Sequence, residues 1–275
     1  MTVKEALKRS AEVLKRITDE AENEAKLIVS HLVGEDIGRL MITDKTVDET
    51  ELSDILKKRS ENIPLQYIFG KWWFYKGEFF VGEGVLIPRQ DTETLVEAAI
   101  ELLKYKPDAI VADLCAGSGC IGISIAADYP KTSVTCVEKY EEAFSYLEKN
   151  IKHNGTENVK AVLADVCEMS FGEYDLIISN PPYITAEDMR FLSEDVKREP
   201  ETALFGGEDG LYFYRTITRL WKSALNKNGV LAYEVGIGEA EQVADIMKQE
   251  GFSQITIKKD LCGVHRVVFG TAKNI

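Results

Sequence analysis

Up to about residue 62, apolar positions recur three and four apart and never alternate singly, so this stretch reads as helices. Thr2 and Glu5 have the spacing of a capping box, opening a first helix that carries Leu7, Leu14 and Ile17. A second helix is expected over about 20–32, stopped by Gly34. A third, near 49–60, carries Leu52, Ile55 and Leu56 on one face and ends before Pro64. The chain changes character over 71–86. The run WWFYKGEFFVG is aromatic and β-prone, and with Lys76-Gly77 as its tight turn it reads as a hairpin. A helix follows over about 92–103.

From 109 onward, short apolar runs alternate with amphipathic stretches. Strands are expected at 109–114, 133–138, 159–164, 174–179, 230–235, 254–258 and 266–269. Helices are expected near 119–127, 141–153, 210–225 and 239–250. The first five strands are separated by helices or long connections, the pattern of a parallel, doubly wound α/β sheet. The last two are joined by 259–265, too short for a crossover helix, so they pair antiparallel. Three parts result: a helical bundle over 1–70, a hairpin linker over 71–90 and an α/β domain over 91–275.

Of 275 residues, 45% are hydrophobic, enough for one large core and a small helical one. The net charge of −13 opposes nonspecific binding to phosphate backbones. No apolar run reaches membrane-spanning length, and the start MTVKEALKRS lacks the apolar core of a signal peptide. The five cysteines form no CxxC pair, and His31, His153 and His265 lie too far apart for a zinc-ligand pattern. Reduced thiols used as small apolar residues are the expectation, as is a cytoplasmic monomer without a metal.

Two loops carry candidate chemistry. Asp113-Leu114-Cys115-Ala116-Gly117-Ser118-Gly119-Cys120 joins the first strand of the α/β part to a helix. Glycines there let backbone approach a ligand at the carboxyl edge of the sheet. Glu138 ends the next strand, where a carboxylate can accept both ribose hydroxyls of a nucleoside. Asp165 ends the third, where it can accept from an adenine amine. The dinucleotide fingerprint GxGxxG is absent and no Walker lysine follows, so a nucleoside with a short amino-acid arm fits better than a pyrophosphate. The second loop, Asn180-Pro181-Pro182-Tyr183, follows the fourth strand directly. Consecutive prolines fix the backbone, and Asn180 adds an acceptor and a donor. An –NH2 on an sp2 carbon is a poor nucleophile. Two acceptors, the Asn180 side-chain oxygen and the Pro181 carbonyl, can hold both its N–H bonds, while Tyr183 stacks on the planar group.

The Asn-Pro-Pro-Tyr tetrapeptide resembles that of class I, Rossmann-like amino-methyltransferases. Further stretches make the chain similar to one branch, the HemK/PrmC family: PLQYIFG at 64–70, VLIPRQDTE at 85–93, Glu199-Pro200, LFGGEDGL at 204–211 and KDLCGVHRVVFG at 259–270. That resemblance implies a seven-stranded, mostly parallel sheet behind a small N-terminal helical bundle. It implies transfer of a methyl group from S-adenosylmethionine to the N5 amide nitrogen of the glutamine in the Gly-Gly-Gln motif of peptide chain release factors. By the same resemblance, Cys115, Ala116, Gly117, Ser118 and Gly119 hold the methionine arm of the cofactor, and Asp113 belongs to the same cofactor-binding loop. Glu138 takes the ribose, and Asp165 and Val166 flank the adenine. Asn180, Pro181, Pro182 and Tyr183 grip the glutamine, Asn180 also bordering the cofactor. Cys115 departs from the glycine usual there, and Gln90-Asp91 from the usual Pro-Glu.

Two alternatives share the second loop: glutamine methylation of a ribosomal protein and adenine-N6 methylation of nucleic acid. The acidic balance and the short helical region count against the latter. Trp72 and Trp73 are expected to pack, Glu234 to be a hydrogen-bond partner or solvated, and Lys57-Lys58-Arg59 to be a solvated helix face.

Overall fold

The computed structural model describes residues 1–272; 273–275, expected at the end of the α/β domain, lie outside the described residues. The chain divides into two compact units. The first is Met1–Gly70 with Ser193–Arg198, and the second is Lys71–Leu192 with everything from Glu199 onward.

The first unit is built on α1 (Val3–Leu14), α2 (Ala21–Val33), α3 (Glu49–Ser60) and the short α4 (Leu65–Phe69). The capping box is present: Thr2 accepts from the Glu5 N–H, and the Glu5 carboxylate accepts from the Thr2 N–H and hydroxyl. Leu14, Ile28, Val29 and Leu52 form the buried seam. Ile17 packs on this core from the turn after α1 rather than from the helix. Arg59 corrects the expectation of a solvated basic face. Lys57 and Lys58 are exposed, but Arg59 is 3% exposed, held by Glu24 through Nε and Nη2 at 2.9 and 3.1 Å and by Asp195 at 3.4 Å. A guanidinium is buried there because carboxylates meet it from α2 and from 193–198.

The second unit opens with the hairpin of β1 (Lys71–Phe74) and β2 (Gly77–Phe80). Its loop is Tyr75-Lys76, one residue earlier than expected, since Gly77 already pairs with Phe74. Tyr75 takes φ +54°, with its N–H on the Glu93 carboxylate and its hydroxyl on Asp128. Trp73 is 68% exposed, so only Trp72 of the pair fits the packing expected of both.

After α5 (Glu93–Leu103) comes the sheet: β3 (Ile110–Leu114), β4 (Ser133–Glu138), β5 (Val159–Leu163), β6 (Tyr174–Ser179), β7 (Leu225–Glu234), β8 (Phe252–Lys259) and β9 (His265–Ala272). Their order is β5-β4-β3-β6-β7-β9-β8, parallel from β5 to β7, with β9 antiparallel to both neighbours. The helices are α6 (Cys120–Asp128), α7 (Glu141–Asn154), α8 (Tyr212–Trp221) and α9 (Ala240–Gln249). Residues alternate between the two faces: Val111, Leu176 and Ile178 join one core, and Ala112, Leu114 and Ile177 the other. Because both faces of β3 and β6 are covered, these strands are mostly apolar, Asp113 and Asp175 excepted. The strand order reverses between β3 and β6, and there the carboxyl ends of open α/β sheets leave a crevice.

Candidate active site

That crevice holds a cavity of about 160 Å³, walled on one side by Cys115 to Ser118 and on the other by Asn180 and Pro182. The loops before α6 and after β6, read separately from the sequence, thus face one space.

The first loop turns through left-handed backbone at Cys115, Gly117 and Gly119, with φ of +59°, +56° and +79°. A Cβ on Gly117 would meet nothing within 4 Å, so this glycine opens onto the cavity. Gly119 does not: a Cβ there would lie 2.4 Å from Leu147 and 2.9 Å from Ile123. It caps α6 against the core, correcting its expected place among the cavity residues.

Asp113 is also displaced from its expected role. Fully buried and outside the cavity wall, it accepts from the Gly122 N–H at 2.9 Å, tying β3 to α6. Burial raises its carboxyl to about 7 against the pull of that bond, with the Glu138 charge adding to the rise.

Glu138 lies in the wall and supports the loop. One oxygen accepts from Gly117 N–H at 2.8 Å, the other from Lys139 and Tyr140 N–H at 2.8 and 2.9 Å. A carboxylate offers about four lone-pair sites, and three of those on Glu138 are taken by backbone. Asp165 is in the wall as well, bonded to Lys139 Nζ at 2.7 Å and to Cys167 N–H at 2.8 Å. Burial opposes its charge, but the Lys139 ammonium and the Cys167 N–H outweigh this and hold the carboxyl below its usual value. Val166 is buried in the wall, its carbonyl accepting from Trp221 Nε1 at 2.8 Å.

In the second loop Pro181 is buried and, like Tyr183, stands outside the cavity wall. The expected stacking surface of Tyr183 is committed to packing on the core, and its hydroxyl donates to Glu234 Oε1 at 3.4 Å. A buried carboxylate needs such a donor, and Glu234 is 1% exposed, an inner partner rather than a solvated strand end. Asn180 donates from Nδ2 to Thr92 Oγ1 at 3.3 Å.

The segments quoted from the sequence supply the frame. Glu199 accepts from Ile87 N–H at 2.9 Å and pairs with Arg89, pinning 87–89. Asp91 is held by Arg266 at 3.0 Å. Ile184 donates its N–H to the Leu204 carbonyl at 2.8 Å and accepts from the Gly206 N–H at 2.9 Å, bracing the chain just after Tyr183. Thr92, from the VLIPRQDTE stretch, lines the cavity too, as do Lys139, Tyr140 and Phe213, which the sequence does not single out. Lys139 and Tyr140 directly follow Glu138, so continuing past the strand end would have found them.

Comparison with known proteins agrees with this arrangement. Residues 5–70 match the family described as PrmC N-terminal domain, and 91–201 the methyltransferase small domain. A release factor glutamine methyltransferase from Clostridium acetobutylicum is 38% identical over 98% of each chain. One from Bacillus anthracis is 34% identical over 98% of this chain and 99% of its own. Among solved structures, a Thermus thermophilus 16S rRNA N2 G1207 methyltransferase in complex with AdoMet and guanosine superposes with a TM-score of 0.51 at 17% identity, covering 74% of this chain and 50% of that one, a likeness of fold. With near full-length identity at this level, the chain belongs to the release factor glutamine methyltransferase family.

Proposed function

We propose that the chain transfers a methyl group from S-adenosylmethionine to the side-chain amide nitrogen of the glutamine in the Gly-Gly-Gln motif of a peptide chain release factor. The observation that carries this reading is the shared cavity: the Gly117 loop with Glu138 and Asp165 on one side, Asn180 and Pro182 on the other.

The residues present fit the cofactor. Gly117 leaves space for a close approach, Glu138 keeps an acceptor site for a sugar hydroxyl, and Asp165 is an ionised acceptor beside the apolar surfaces of Val166 and Phe213. When bound, S-adenosylmethionine supplies an electrophilic methyl on a sulfonium. The protein's own part is to present the nucleophile. Asn180 Oδ1, in the cavity wall, holds one amide N–H and directs the nitrogen lone pair, while the Pro181 carbonyl, expected to hold the other, belongs to a residue outside that wall. The nitrogen so presented would accept the methyl group that the cofactor supplies, and its proton would pass to solvent. Once methylated the nitrogen is acidic, so no strong base is required. Positioning of this kind lowers barriers by up to about 7–11 kcal/mol in intramolecular models.

The reading extends to a cytoplasmic monomer acting on protein rather than nucleic acid; the −13 net charge supports the last of these. Among the described residues no helix is long and apolar enough to cross a membrane. The test is methyl transfer from labelled S-adenosylmethionine to purified release factor, a ribosomal protein and duplex DNA, with a Gln-to-Ala release factor as control. Label on wild-type release factor alone is expected. Label on the ribosomal protein or on DNA instead would move the substrate assignment there.

A further inference from the structure

The stretch LFGGEDGL at 204–211 supplies no residue to the cavity wall, although Ala203 and Tyr212 on either side of it do. What it meets is the end of the Asn180–Tyr183 loop. Phe205 forms a parallel bridge with Ile184, closed by the two backbone bonds of Leu204 and Gly206. A Cβ on Gly206 would lie 2.5 Å from Tyr183 Cα and 2.7 Å from its carbonyl carbon. One on Gly210 would lie 2.5 Å from the Tyr183 carbonyl oxygen, and one on Gly236, from the loop after β7, 3.1 Å from Tyr183 Cδ2. Three glycines thus close round one residue, two on its backbone and one on its ring. Gly210 has φ +75°, where glycine is favoured in any case. Gly206 does not take left-handed backbone, so its conformation alone does not call for glycine. There it is the closeness of the Tyr183 backbone that leaves no room for a side chain.

This contact matters at Asn180 because the loop between is stiff. Its start is held in the sheet, where Ser179 pairs with Leu114 and Tyr233 and its hydroxyl donates to the Leu114 carbonyl at 2.7 Å. Its middle is Pro181-Pro182, whose rings lock φ. A shift imposed at Tyr183 is therefore not absorbed on the way and reaches Asn180. Resting on the function proposed above, we infer that Gly206 is a positioning residue, which sets through Tyr183 the place from which Asn180 meets the substrate amide.

The test is steady-state methyl transfer to intact release factor, expressed as kcat per cofactor site titrated by calorimetry, so that misfolded protein is not counted. In Gly206→Ala the added carbon displaces Tyr183 by roughly half an ångström or more, and kcat per site is expected to fall about 10–100-fold, with S-adenosylmethionine affinity within about threefold of wild type. Gly155→Ala is the control for lost stability alone. Gly155 caps α7 at φ +64° with nothing within 4 Å of an added carbon, so kcat per site should stay within about threefold. Unchanged kcat per site in Gly206→Ala, or an equal fall in Gly155→Ala, would overturn the inference. If Gly206→Ala does not fold, amide hydrogen exchange of the wild-type protein decides. The Ile184 and Gly206 N–H groups, bonded across the bridge, should exchange at least about 100-fold more slowly than those of the exposed Ile237 and Gly238, and exchange at an equal rate would overturn it. Wild type inactive on release factor would instead refute the function on which the inference rests, and would leave the exchange pattern as it is.

Discussion

Gly117 and Gly119 stand two residues apart in one loop with similar left-handed backbone, yet alanine should do different things at each. Left-handed backbone costs a side chain about 1–2 kcal/mol, partly offset by the smaller entropy of the unfolded chain, about 0.4–1 kcal/mol. At Gly117 nothing lies within 4 Å of the added carbon, so Gly117→Ala should lose only about 1 kcal/mol of stability. At Gly119 the carbon would lie 2.4 Å from Leu147 and 2.9 Å from Ile123, both held in the core. Overpacking adds about 1–3 kcal/mol, bringing Gly119→Ala to about 3 kcal/mol, a large share of a typical domain's stability. Cofactor binding should rank the other way, because only the Gly117 carbon would project into the cavity. Gly117→Ala should weaken S-adenosylmethionine binding at least tenfold, while Gly119→Ala, where folded, should bind within a few fold of wild type. Urea unfolding with a common slope gives the stabilities, and calorimetric titration of the folded proteins gives the affinities. Equal stability of the two variants would refute the packing argument. Undiminished affinity in Gly117→Ala would remove this loop from the cofactor site.

Three further outcomes are expected. Asn180→Ala should lower methyl transfer to release factor by about 10²–10³-fold, as loss of a transition-state hydrogen bond does, with cofactor affinity unchanged by calorimetry; near wild-type turnover would remove the acceptor role. Asp113, raised to about 7 by burial, binds its proton more tightly folded than unfolded, so its contribution to stability is fully present below about 3.8 and is lost as pH rises to about 7, by about 4 kcal/mol. Asp113→Asn keeps an acceptor for the Gly122 N–H and has no such loss, so the fall in urea-unfolding stability between pH 5 and pH 8 should shrink; an unchanged fall would show that Asp113 does not carry it. Reversing Lys57 and Lys58 to glutamate should raise KM for whole release factor and leave a short Gly-Gly-Gln peptide unaffected, if this exposed face meets the partner; equal changes for both substrates would exclude that role.

The strands Ser133–Glu138 and Tyr174–Ser179 have the bounds read from the sequence because each is an apolar run closed by a sharp chemical change. β7 begins five residues earlier than expected, at Leu225. Its first half, LNKNG, is polar and includes Asn228 at φ +60°, and it joins the sheet through a pairing of Leu225 with Tyr174 across a register shift. No local period shows such a pairing. The charged residues were harder still. Arg59 reads as a surface group because such side chains are rarely buried, and Glu234 as either a hydrogen-bond partner or solvated; what meets them is distant in sequence, Glu24 for one and Tyr183 for the other. The site loops were legible because a glycine turn and a double proline are local facts. Which of their residues face the cavity was not, because Gly119 and Tyr183 are turned away by contacts with Leu147 and Glu234.

Cys115 joins these levels. Its φ of +59° accounts for a glycine being the ordinary residue there, and a cysteine holds that backbone at a cost of about 1–2 kcal/mol. The side chain forms part of the cavity wall, so a thiol sits where a methyl donor is proposed to bind. A thiolate there would itself be a methyl acceptor. Burial pushes the Cys115 thiol well above its usual value, and the charges of Glu138 and Asp113 and the neighbouring Cys167 push the same way. The protonated thiol is a poor nucleophile, so burial above all, with the acidic groups adding to it, disfavours alkylation there. Cys115 therefore serves as a small apolar wall, and its departure from glycine narrows the cavity without adding a competing acceptor.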